Sequence, residues 1–72
     1  MPSFNERLKT IRIERKLIQS DVAKGCDIAL RSLKYYEAGT RKPDTDTIIR
    51  LCQFFQCSAD YLLGLTDETN GR

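Results

Sequence analysis

Arg31, Lys34 and Tyr35 fall within one ten-residue stretch, "ALRSLKYYEA", at positions 29–38. Their spacing carries the clearest chemistry in the chain. At about 100° per residue, counted from Ile28, Ser32, Leu33, Tyr36 and Glu37 share an arc from about 40° to 180°. Leu30, Arg31, Lys34 and Tyr35 share the arc from about 200° to 340°. The first arc is a core stripe with a carboxylate at its edge. The second mixes two cations, an aromatic ring and a lone leucine, where a purely structural helix would show a plain solvated face. Such a mixture suits the major groove of a nucleic acid duplex. A guanidinium forks onto guanine O6 and N7, an apolar side chain covers a thymine methyl, and an ammonium or phenol reaches phosphate or base edges.

Other chemistries find little to build on. The chain has no histidine, the commonest general base, and no Ser, Cys or Lys in a nucleophile motif, so an enzyme is not expected. Cys26, Cys52 and Cys57 are odd in number and lack C-x-x-C spacing, so they read as small buried hydrophobes and no metal or other cofactor is expected. No small-molecule ligand is evident. No apolar run approaches the roughly 18 residues of a membrane span, and "MPSFNER" lacks the apolar core of a signal peptide. These features predict a cytoplasmic protein. Charge is unevenly distributed along the chain: residues 1–43 hold ten Lys/Arg and five Asp/Glu, residues 44–72 two and five. A basic front and an acidic back suggest a polyanion on one side only.

The elements that must position the 29–38 stretch are all helical. No segment alternates apolar and polar residues as a half-buried strand would. "SFNE" is a capping box that opens a first helix, about Phe4 to Lys16, with Phe4, Leu8 and Ile11 inward. "QSDVAKG" makes a second, with Val22 and Ala23 inward and Gly25 near its end. "CDI" forms the turn, where Asp27 tolerates a left-handed conformation. The third helix, about Ala29 to Ala38, stops at Gly39 ahead of the loop "TRKP". Asp44 caps a fourth carrying Ile48, Leu51, Cys52 and Phe55 on one face, and Ser58 caps a short fifth, "ADYLL", stopped by Gly64. At 72 residues this is one small all-α domain, residues 1–66, with a polar, flexible tail at 67–72.

From Gln19 the chain runs through Ala23, a turn near Asp27, then Ile28, Leu33 and "YEAG". Two short helices crossing over a small residue at a tight turn have this pattern. Over about Leu8 to Leu65, through "RLKTIR", "Q-x-x-x-A", "YYEAG", "RKPD" and "CSADYLLGLTD", the sequence resembles the Cro and phage-repressor type of helix-turn-helix domain, the XRE family. The resemblance implies a compact five-helix, lambda-repressor-like bundle with the motif at about 19–38. It also implies a small transcriptional regulator, a repressor, that binds double-stranded DNA sequence-specifically with helix 29–38 in the major groove. Ala29, Leu30, Arg31, Lys34 and Tyr35 would then face base edges, while Gln19, Ser32, Thr40, Arg41 and Lys42 would hold phosphates. An ion pair between Arg12 and Glu37 would tie the first helix to the third.

The chain departs from the family where Ile18 and Ala29 replace the usual Ser or Thr caps, Asp27 the usual Gly, and Ala38 a frequent Asn. Asp27 is therefore expected to cap the third helix early. One recognition helix reaches too few base pairs to specify a genomic site, so a homodimer on a palindromic operator is expected. Its interface would use Tyr61, Leu62 and Leu65 beside Leu63, because the basic side is committed to phosphate. Two alternatives stay open: a protein-interaction module such as an antitoxin or bridging partner, and a controller of a restriction-modification operon. A prokaryotic or mobile-element origin fits all three.

Overall fold

A computed structural model describes residues 3–68 of the chain. Five helices follow in order: α1 (Phe4–Glu14), α2 (Gln19–Cys26), α3 (Leu30–Ala38), α4 (Thr45–Phe55) and α5 (Ala59–Leu62), with no strand among the described residues. Of the tail expected at 67–72, residues 69–72 lie outside the described residues.

Helix starts follow local side-chain chemistry. Glu6 accepts from the Ser3 backbone N–H at 3.1 Å and from its hydroxyl at 2.9 Å, closing the box at the start of α1. Asp44 accepts from the Thr47 N–H at 2.9 Å, and Ser58 from the Tyr61 N–H at 3.0 Å. Ile18 has no acceptor to offer α2, and Asp21 supplies the reverse half of the cap by accepting from the Ile18 N–H at 3.2 Å. Ala29 is the extended N-cap of α3 and makes no side-chain bond. Asp27 does not cap α3. Its backbone is spent ending α2 in a left-handed turn, φ 56° and ψ 47°, two residues before the N-cap position.

The ends depart from expectation by a residue or two. α1 stops at Glu14 because Lys16 turns left-handed at φ 58°, which lets its N–H return to the Ile13 carbonyl (2.9 Å) and the Leu17 N–H to that of Arg12 (3.1 Å). α2 runs through Gly25 to Cys26, and α5 ends at Leu62.

Leu8 and Ile11 of α1, Val22, Ala23 and Cys26 of α2, Leu33 of α3, and Leu51 and Phe55 of α4 meet in one core with Cys57, Tyr61 and Leu62. This corrects the expected dimer surface. Tyr61 and Leu62 are 5% and 0% exposed, filling the gap that α1 and α4 leave, and they show no face to a second chain. Leu65 and Leu63, at 63% and 42%, remain outside. The Arg7 guanidinium lies 4.3 Å from the Tyr61 ring centroid and pairs with Asp67, fastening α1 to the chain beyond α5. Burial pushes the Cys26 and Cys57 thiols up to about 11, so both are neutral packing groups at ordinary pH.

Candidate nucleic-acid interface

The α2–α3 pair is fixed at its turn before any side chain is presented. The Asp27 N–H returns to the Lys24 carbonyl at 3.3 Å and the Ile28 N–H to that of Ala23 at 3.0 Å. Arg50 of α4 donates to the Asp27 carbonyl at 3.2 Å, pinning the turn from outside. Gly25 lets α4 approach, since a Cβ there would meet the Phe54 ring at 2.1 Å. That requirement depends on a contact between distant segments and has no local signature in the sequence.

On the inner side, α3 is anchored through Glu37. Arg12 Nε donates to Glu37 Oε2 at 2.7 Å and Arg12 Nη2 to Oε1 at 3.0 Å, a two-pronged pair whose side chains are 13% and 4% exposed. Arg12 Nη1 also donates to the Leu17 carbonyl at 2.9 Å, and the Gln19 amide donates to Glu37 Oε1 at 3.2 Å. One carboxylate thus gathers α1, the start of α2 and α3. Gln19, expected on phosphate, has its amide NH2 turned inward to Glu37.

The outer side of α3 holds Leu30, Arg31 and Lys34 exposed and Tyr35 half-buried, with Ala29 exposed ahead of them and Ser32 half-buried at the edge. Gly39 ends the helix at φ 80° and the loop folds back over it. The Thr40 N–H donates to the Tyr35 carbonyl at 3.1 Å and its hydroxyl donates to the same oxygen at 3.3 Å. The Arg41 guanidinium lies 4.7 Å from the Tyr35 ring centroid. Arg41 is thereby brought beside the outer face of α3, while Lys42 is exposed and flanks an apolar groove lined by Phe4, Pro43, Ile48 and Leu63. The Arg41–Tyr35 stack went unrecognised in the sequence, although a spacing of six residues across a glycine stop places the two side by side.

A helix-turn-helix family model matches residues 8–62. The chain belongs to the helix-turn-helix family. Among its helix-turn-helix relatives, it is 38% identical over 65 residues to the uncharacterized HTH-type transcriptional regulator YobD of Bacillus subtilis, covering 90% of this chain and 58% of that protein. It is 39% identical over 62 residues to the HTH-type transcriptional regulator ImmR of the same organism, covering 86% and 49%. The chain therefore spans about half the length of the curated relatives it matches. The helix-turn-helix fold superposes on the P22 c2 repressor, solved in complex with a synthetic operator, with a TM-score of 0.85 at 24% identity over 92% of this chain and 100% of that one. The likeness shows a five-helix, lambda-repressor-like fold.

Proposed function

We propose that the chain is a DNA-binding transcriptional repressor that lays α3 in the major groove of duplex DNA and reads sequence there. The observation that carries this reading is the exposure of Arg31 and Lys34 beside Leu30 and Tyr35, on a helix whose opposite side is locked by Glu37. An exposed cationic and apolar face on a rigid element suits base reading. Arg31, Leu30, Tyr35, Lys34 and Ala29 are assigned to base edges and Arg41, Lys42 and Ser32 to the backbone, whereas Gln19 and Thr40 would reach phosphate only by releasing their bonds to Glu37 and to the Tyr35 carbonyl. The helix-turn-helix family acts by binding rather than catalysis, and its bacterial relatives fit a cytoplasmic setting. None of the helices is long and apolar enough to cross a membrane among the described residues.

Two copies on a palindromic operator fit the dimensions. The protomer measures 30 × 22 × 21 Å, and half-sites lie about 34 to 36 Å apart. Leu63, which lines the groove with Phe4, Pro43 and Ile48, and the exposed Leu65 are apolar side chains that would serve that contact. The test is selection of bound duplexes from a random pool. A palindromic consensus that loses one base pair of preference in Arg31→Ala is the expected result, and recovery of unselected sequence overturns the reading.

A further inference from the structure

α4 ends on a turn that sets two thiols side by side. Gln56 takes a left-handed backbone at φ 52°, and the Cys57 N–H returns to the Cys52 carbonyl at 3.1 Å. A six-residue closure of this kind packs the side chains at its two bonded positions against each other. Cys52 and Cys57 hold those positions. A direct bond from one backbone N–H to the other residue's carbonyl also keeps their Cα atoms within about 7 Å, the reach of a disulfide. Each thiol accordingly perturbs the proton of the other. Cys52 is half-buried and open to a reagent, whereas Cys57 is 8% exposed and belongs to the core. Burial raises both thiols, and the Arg15 cation at the end of α1 opposes that rise at Cys57. Cys26 differs. It is buried on α2 with its thiol on the Arg50 carbonyl at 3.9 Å, and among the described residues the three cysteines do not gather into one metal-holding cluster.

We propose that Cys52 and Cys57 are a redox-modifiable pair that closes to an intramolecular disulfide in the presence of a low-molecular-weight disulfide. The half-buried Cys52 gives up its proton and attacks one sulfur of the oxidant, releasing one external thiol and leaving a mixed disulfide. Cys57 then loses its proton and attacks the Cys52 sulfur, which expels the second external thiol. Two protein thiols are oxidised as one external disulfide is reduced to two thiols. Because burial favours the protonated form of both groups, closure is slow and the reduced pair is the resting state. In a reducing compartment such bonds are transient and report the redox poise. The pair sits at the junction of α4 and α5, apart from the outer face of α3, so it does not depend on the DNA-binding reading.

The experiment incubates the purified chain with oxidised and reduced glutathione at graded ratios, then reads the intact mass and locates the bond by peptide mapping. Wild type should lose two hydrogens, with Cys52 joined to Cys57 and Cys26 left free for alkylation in urea. Cys26→Ala should behave as wild type, while Cys52→Ala and Cys57→Ala should form no internal bond. The native chain should reach half-oxidation at about tenfold less oxidant than the chain in urea. Phenylarsine oxide, which bridges two close thiols with loss of water, should bind once to reduced wild type and to Cys26→Ala, and to neither of the other variants. Equal half-oxidation in the native and urea states overturns the proposal, because nearness along the chain would then suffice. A lasting glutathione adduct on Cys52, a bond to Cys26 or a link between two chains overturns it as well, and arsenical capture with no disulfide at any ratio overturns the redox role. Peptide mapping in wild type needs no variant, and thermal melting of each variant before oxidation separates a packing defect from loss of the pair.

Discussion

α3 and α4 begin in opposite ways. The carboxylate of Asp44 closes the first turn of α4 on the Thr47 N–H at 2.9 Å, whereas α3 starts behind Ala29 with no side-chain acceptor. Both helices sit in the same core through Leu33 on one and Leu51 and Phe55 on the other. What replaces the cap on α3 is tertiary: the Arg12–Glu37 pair near its far end and the Arg50 bond to the turn ahead of it. The first N–H groups of α3 are thus left without a side-chain acceptor while its rigidity comes from elsewhere, and free N–H groups at a helix start favour anions.

The largest effect should come from cutting that tertiary anchor. Removing one partner of a buried pair leaves a charge without compensation, at a cost of about 3 to 5 kcal/mol. Glu37→Ala should lower stability in urea by an amount near that range, and it should loosen α3 more than α4, so amide exchange in 30–38 should quicken ahead of exchange in 45–55. Equal quickening in both helices would show that α3 owes no special debt to Glu37.

Next in size is the division of labour on the uncapped helix. Arg31→Ala should cost about 1 to 3 kcal/mol on the selected site and relax preference at one base pair. Arg41→Ala removes a cation held over Tyr35 and should weaken all sequences alike. Measured affinities on matched and mismatched duplexes decide between the roles; the same uniform loss from both substitutions would erase the distinction.

What could be read without a structure follows the same contrast. The box of Ser3 and Glu6, the caps at Asp44 and Ser58 and the left-handed Gly39 are contacts within a few residues, so their types and spacing were enough. Asp27 was legible as a turn and misread as a cap, because the sequence does not say which of two helix ends claims its backbone. Tyr61 and Leu62 were misplaced for a larger reason. A short amphipathic helix carries more apolar surface than it can bury alone, and whether the bundle or a second chain takes the excess depends on the space left by α1 and α4. The outer face of α3 needed only helical periodicity, but Cys52 and Cys57 meet because Gln56, with no glycine to mark it, turns left-handed.

A cap installed on α3 sharpens the comparison from the other side. Ala29→Ser offers an acceptor to the first-turn N–H groups, and a good N-cap contributes about 1 kcal/mol over alanine. Stability in urea should rise by about that amount, while duplex affinity should fall or stay level, since the same N–H groups become occupied. Higher stability together with higher affinity would indicate that those groups do not meet the duplex.

The smallest effect distinguishes the two starts by acid alone. Hydrogen bonds from Thr47, side chain first and then backbone, hold the Asp44 carboxyl below its ordinary value. Its folded pKa is depressed, so its contribution to stability is complete above the unfolded value, about 3.9 for Asp, and is lost as pH falls through that value towards the lower folded one. The group is exposed, and the loss should be modest. Glu6 follows the same direction through the Ser3 backbone bond at the start of α1. α3 has no carboxylate at its start and no acidic residue in its first turn, so nothing there titrates in this window. Between neutral pH and about pH 3, wild type should therefore lose stability that Asp44→Asn retains, because an asparagine still caps and does not titrate. Residue-resolved amide exchange should show the acid-induced fraying at 45–47 and not at 30–32. Fraying that appears first at the start of α3 would overturn the assignment of the acid-sensitive step to the cap of α4.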